Sequence, residues 1–382
     1  MHDQNARGTA AGDMPTADVR FGRRKLVSGG AALGAGLVGA GALAQLGLAA
    51  RQDESTPAAS PAASGDATST IVNTANTFLD TLSDGEKDTV LFDWTDTEQK
   101  QRWSNFPPAG FQRAGLMWGD LSEQTQNAWL GVMQATLSTE GYDRVLAEWH
   151  ADDALLAQEG TGGGFGSANY YIALIGTPSA TDPWQWQWGG HHVTVNATIV
   201  GPDLALTPSF IGVQPATYTD ENGDTVKPLG DIEDDALALL GSLDETQQSA
   251  AILGDTRIDL VLGPGQDGKT IQSEGLPASQ MTDDQKTAVL QLIGHYAGLG
   301  NDAATAVRME EIASGLDDTY FAWYGPTTGE NVAYWRVTGP TIVIEYAPQG
   351  SGRGGTGGTT DPEHVHGIYR DPTDDYGASY TS

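Results

Sequence analysis

The chain has no cysteine, six lysines and few basic residues of any kind: 19 Lys plus Arg stand against 50 Asp plus Glu in 382 residues. Without sulfur there is no disulfide scaffold, zinc ribbon, iron–sulfur centre or thiol nucleophile, so any metal must be held by nitrogen and oxygen. A formal charge of −31 repels phosphate backbones, and the lysines are too scattered to form a basic patch, which excludes nucleic acid as an expected partner. No GxSxG or HExxH run is present, and no P-loop or dinucleotide pattern stands between a strand and a helix, the context that would make it one. The glycines of Gly160 to Gly166 follow a helical pattern rather than a strand, and read as a loop. What the chain does have is 39% hydrophobic residues, enough for a large core.

An uncharged stretch runs from Leu26 to Ala50, is rich in Gly and Ala, and follows the pair Arg23 and Arg24. This resembles a twin-arginine export signal; its glycines weaken the alternative of a permanent membrane helix. Residues 1–50 are therefore expected to be a signal peptide that meets the membrane only during export, delivering an extracytoplasmic protein already folded. Residues 51–69, small and polar with two prolines, are expected to be a disordered spacer, and the globular part to span 71–382.

Four segments share one pattern, beginning at Leu82, Leu121, Leu243 and Met281. Each places Ser83, Ser122, Asp244 or Thr282 at a helix N-cap, and three carry the Glu86, Gln247 or Gln285 of a capping box. Because their intervals do not form a single period, the recurrence reads as shared capping chemistry rather than duplication. Helical patterns dominate 71–158 and return at Glu233 to Leu253, Asp283 to Ala297 and Ala303 to Ser314. Short alternating runs fill Asn169 to Pro215, RIDLVLG from Arg257 reads as a strand, and the runs from Thr319, Asn331 and Thr341 predict an antiparallel meander. The expected fold is α+β, with capped helices packed on antiparallel sheets in a single large domain.

Of the seven histidines, four form two pairs, His191 with His192 and His364 with His366. Alternation in a strand from His191 puts His192 on the polar side with Thr194, Asn196 and Thr198. His364 and His366, two apart in an extended segment delivered by the Gly-rich stretch Gly350 to Thr360, project to one side. Glu345, alone in the apolar TIVIEY, is either an edge-strand carboxylate or a buried one held by a cation or strong donors. His150 and His295 read as structural. Trp184, Trp186 and Trp188 share a strand face that is either core or, if exposed, a stacking platform for sugars. Arg102, Arg113 and Arg370 could clamp a substrate carboxylate or tie the fold's own carboxylates.

RWSNFPP from Arg102, PWQWQWGGHHVTVN through FIGVQPA, YWRVTGPTIVIEY and the closing HVHGIYRDPTDDYG together resemble a family of bacterial proteins catalogued as domain of unknown function 3500. The resemblance implies one domain and no settled activity.

These residues lead to an expected exported metalloenzyme. His192, His364 and His366 would hold a divalent ion, with Glu345 as fourth ligand or general base, His191 fixing a tautomer and Arg370 orienting an anionic substrate. Zn²⁺ would support hydrolysis of a small-molecule or polymer substrate, whereas Cu or Fe in the same shell would make an oxidoreductase. The alternative is a non-catalytic extracellular protein that binds polysaccharide through the Trp face, or cations through its acidic surface.

Overall fold

The computed structural model describes residues 64–350 and 360–381. The expected signal, most of the spacer, and the Gly-rich connection at 351–359 lie outside the described residues. The spacer expected to reach Ser69 gives way to a helix already at Ser64. Among the described residues no helix is long and apolar enough to cross a membrane.

The first half contains helices α1 (Ser64–Asp80) and α2 (Asp84–Val90), strand β1 (Leu91–Phe92), helix α3 (Thr97–Lys100), strand β2 (Leu116–Met117) and helices α4 (Glu123–Thr136) and α5 (Thr139–Glu159). Strands β3 (Tyr171–Ile175), β4 (Trp184–Gly189), β5 (Val193–Val200), β6 (Asp203–Ala205) and β7 (Ser209–Val213) follow, and a small ribbon, β8 (Tyr218–Thr219) with β9 (Thr225–Val226), closes it. The second half runs α6 (Gly230–Ser242), α7 (Glu245–Ala251), β10 (Ile252–Gly254), β11 (Leu276–Pro277), α8 (Asp283–Ala297) and α9 (Asp302–Ser314). It continues through β12 (Tyr320–Tyr324), β13 (Tyr334–Thr338), β14 (Val343–Gly350) and β15 (Thr360–Arg370) to a last turn of helix, α10 (Ala378–Thr381). This is a single α+β domain. Its long strands form one mixed sheet, mostly antiparallel, in place of the several sheets expected.

Strand order is β1-β3-β4-β5-β7-β15-β14-β13-β12-β10, which reads the same from either end. In each half the outermost strand pairs in parallel (β1 with β3, β10 with β12), and a two-residue strand adds antiparallel to the same neighbour (β2 on β3, β11 on β12). In each half one capped helix precedes the two short strands and a second follows them (α2 and α4, α7 and α8), and an apolar cluster forms on each side. The recurrence read as mere capping chemistry is therefore a duplication: the segments at Leu82 and Leu121 correspond to those at Leu243 and Met281. All four N-caps form, and the capping boxes at Ser83, Asp244 and Thr282 are complete.

The two faces of the sheet differ. Trp184, Trp186, Trp188, Val193, Val195 and Ala197 turn toward the helices and are fully buried with Trp129 and Trp149, which rules out the sugar-stacking platform. The opposite face carries Gln187, Thr194, Asn196, Thr198, Arg336 and Glu345, also buried, and is covered by loops. The expected meander forms as β12, β13 and β14. RIDLVLG does not join the sheet. It crosses the polar face as a loop, because the amides of Val261 and Leu262 are taken by the Glu345 carboxylate instead of a neighbouring strand.

Candidate metal centre

The centre lies where the two halves meet, between the β4–β5 turn of one and strand β15 of the other. That turn, Gly190 to Val193, is closed by a bond from the Gly190 amide to the Val193 carbonyl. A side chain at Gly190 would run into the Tyr170 ring, at 2.5 Å. His192 adopts φ +67°, in the left-handed region, so the turn rather than the strand pleat aims its ring. The strand begins only at Val193, one residue beyond the expected pair. Gly212 on β7 lets the turn settle on β15, since a Cβ there would sit within 3.0 Å of both the Val365 and His192 carbonyl oxygens.

In this arrangement the Nε2 atom of His364 lies 2.9 Å from Nε2 of His192 and 2.9 Å from Nε2 of His366. One ring N–H can serve only one of these contacts, whereas a single cation satisfies all three nitrogens. A tetrahedral ion with bonds of about 2.0–2.1 Å would hold its ligand nitrogens about 3.3 Å apart, so the rings need separate by only a few tenths of an ångström. Burial, reinforced by the neighbouring rings, pushes His192 and His366 well below the ordinary imidazole range, and His364 down to about 3. At neutral pH the three rings are uncharged, as a metal requires.

Around this cluster, His191 lies against His192 with centroids 3.5 Å apart and ring planes tilted by 35°, and its Nδ1 lies 2.7 Å from Oδ1 of the buried Asp152. The other carboxylate oxygen of Asp152 accepts from the Gly166 amide, and the Tyr170 hydroxyl donates to the His191 carbonyl. Asp152, His191 and His192 also offer ligand atoms within 4.8 Å of one another, but Nδ1 of His191 and Oδ1 of Asp152 already meet at 2.7 Å, which suits a hydrogen-bonded dyad better than chelation. Asn105 Nδ2 stands 3.4 Å from Nδ1 of His366. With the amide turned to present its oxygen, Asn105 would keep the proton on Nδ1 and leave Nε2 for a metal.

Two expected site residues are engaged elsewhere. Glu345 is completely buried, and its carboxylate accepts from the amides of Val261 and Leu262 and from the Tyr334 hydroxyl, each at 2.7 Å. It shares a face with His366, but β15 places it opposite Ile368, two register pairs away from His366, which faces Ala347. Desolvation raises its pKa, against the pull of these donors. Arg370, buried, binds Asp375 and Asp267 and the carbonyls of Leu262 and Gly263, which locks the 261–267 loop against the chain's end and leaves no group turned to a substrate. His150 stacks on Trp149, and His295 pairs with Asp235 at 2.7 Å, both structural as expected. Arg102 donates to the Gln112 carbonyl.

Sequence reasoning missed Asp152 and Asn105. Asp152 did leave a signal, because it falls among Val145, Ala151 and Leu155 on the buried stripe of α5, where a carboxylate needs a partner. Asn105 lies in the irregular SNFPP segment, where no periodicity predicts what its side chain meets.

A family profile described as "Protein of unknown function (DUF3500)" matches residues 64–378. No curated protein and no solved structure matches the chain.

Proposed function

The chain belongs to the DUF3500 family, whose description assigns no activity, and we propose from its own geometry that it is an exported metal-dependent hydrolase. His192, His364 and His366 hold one divalent ion. The observation that carries this reading is the convergence of three neutral, largely buried Nε2 atoms on one point. Zn²⁺ is the ion best matched to three imidazoles with no carboxylate, and its fourth position takes a water whose pKa falls to about 7, giving a nucleophile for an ester or amide. The two-His, one-carboxylate set of non-haem iron is not what these residues provide, and copper is the alternative that the same nitrogens would accept. His191, with Nδ1 committed to Asp152, keeps an Nε2 lone pair beside the centre, the arrangement of a proton acceptor. Arg23, Arg24 and the uncharged stretch after them support export in the folded state.

Elemental analysis of protein exported by its own signal tests this, alongside the His364→Ala/His366→Ala double variant. One metal per chain in the first and none in the second is expected. Full occupancy in the double variant, or a wild-type chain that takes up no Zn²⁺, Cu²⁺ or Fe²⁺, would overturn it. Hydrolysis of a p-nitrophenyl ester by the loaded chain, lost on chelation, separates hydrolase from metal carrier.

A further inference from the structure

Three arginines are fully buried among the described residues: Arg113, Arg336 and Arg370. Arg336 meets Glu274 at 2.6 Å, and Arg370 meets Asp267 and Asp375. Arg113, 8% exposed, makes no ion pair among the described residues; the buried Asp152 acts on it only through its field. One nitrogen, Nη2, shares its two hydrogens among the carbonyls of Ser104, Phe106 and Gly190, while Nε and Nη1 are buried with no hydrogen-bond partner, and the guanidinium carbon lies 5.5 Å from the centre of the Phe111 ring. Burial lowers its pKa to about 10 although the field of Asp152 opposes the shift, and a guanidinium desolvated without a contact ion pair costs several kcal/mol.

Its position gives the unpaired groups a meaning. Ser104 and Phe106 flank Asn105, which touches His366, and Gly190 precedes His191, so Arg113 joins the two walls of the histidine cluster. Two more buried polar atoms without hydrogen-bond partners stand beside it, Nδ1 of His192 in the turn and Oγ1 of Thr194 at the start of β5. We propose that Arg113 is the oxyanion receptor of this centre, and that the molecule bound beside the three histidines carries a carboxylate or phosphate ester group, which the unpaired N–H groups of the guanidinium take. The proposal deepens the metal reading but depends on it only for what happens after binding. The unpaired atoms are closed off from solvent, so the ligand reaches them when the segment from Ser104 to Phe111 lifts; its Phe106 side chain is already 53% exposed.

Calorimetric titration of the full chain with inorganic phosphate, and separately with acetate, tests this on Zn²⁺-loaded and chelator-stripped protein. One anion per chain is expected in both states, and the tighter of the two probes tells phosphate ester from carboxylate. Arg113→Gln should weaken binding at least tenfold, equivalent to about 1.4 kcal/mol, with metal content unchanged. If circular dichroism shows that variant unfolded, Arg113→Lys, which keeps the charge and can reach one carbonyl but has no fork, carries the comparison. No binding of either anion to the wild type overturns the proposal, as does equal affinity in the Arg113 variant. Binding that survives the Arg113 change but vanishes on stripping places the anion on the metal, sinking this proposal and sparing the metal centre. Arg113-dependent binding in a chain that never takes up metal does the reverse.

Discussion

Glu345→Ala removes a carboxylate whose oxygens serve three donors, the amides of Val261 and Leu262 and the Tyr334 hydroxyl, each at 2.7 Å. Leu262 and Tyr334 are buried, and each donor left without an acceptor there costs about 1–3 kcal/mol. Val261 is 40% exposed, so water can serve its amide. Arg336 keeps Glu274 as a counter-charge, and removing a desolvated carboxylate returns part of the loss. The expected net destabilisation is therefore about 3 kcal/mol. Urea unfolding followed by Trp fluorescence should show a lower midpoint with an unchanged slope, while elemental analysis shows metal content equal to wild type. Glu345→Gln, which retains one acceptor but turns an NH2 toward another donor, should lose less. A variant with wild-type stability and no metal would refute the reasoning and return Glu345 to the ligand shell.

Glu148 is buried one turn before Asp152 and is pushed up from its ordinary 4.5 to about 8 by desolvation, against the pull of Arg144. A raised carboxyl pKa means the folded state holds the proton more tightly, so stability falls as pH rises from about 4.5 to about 8, by at most ~4–5 kcal/mol. Glu148→Gln should flatten that slope in urea titrations, matching wild type near pH 4.5 and exceeding it at pH 8.5; equal slopes would contradict the assignment. Gly115 and Gly275 occupy equivalent places, at φ +98° and +103°, where a Cβ would stand 2.0 and 2.2 Å from the carbonyl oxygens of Ile172 and Phe321. Alanine at either should cost about 3 kcal/mol or more, and similar amounts at both, measured by thermal unfolding. Ser83→Ala, which removes a complete capping box, should cost about 1 kcal/mol by the same measurement.

What the sequence made legible is what is decided locally. The N-caps at Ser83, Ser122, Asp244 and Thr282 stand where their spacing predicts, because a cap depends on four consecutive residues. Alternation likewise sorted Thr194, Asn196 and Thr198 from Val193, Val195 and Ala197. The errors arise where distant chain decides. The Arg257–Gly263 run has the alternation of a strand, but the amides of Val261 and Leu262 are claimed by Glu345 from over 80 residues away. Neither the loop nor the carboxylate can be read without the other. The duplication was hidden because its halves keep their caps and strand order while the residues that fill them differ.

That divergence locates the chemistry. The β4–β5 and β13–β14 hairpins close in the same register, with Gly189 opposite Thr194 in one and Thr338 opposite Val343 in the other, and with an equivalent amide-to-carbonyl bond across each turn. Turn residues His191 and His192 therefore correspond to Pro340 and Thr341, and Gln187 and Asn196 to Arg336 and Glu345. In the first half the turn meets its helix through the Asp152–His191 pair, whereas in the second Gly315 packs against Pro340 and Arg308 of α9 donates to the Thr341 carbonyl. The same hairpin on the same sheet is thus tied to its helix with neither a carboxylate nor a histidine in the contact. The architecture does not require a buried carboxylate, two consecutive histidines or a left-handed His192, each of which costs stability. A feature that the fold does without in its other half, aimed at two further histidines on β15, is what the proposed metal site would account for.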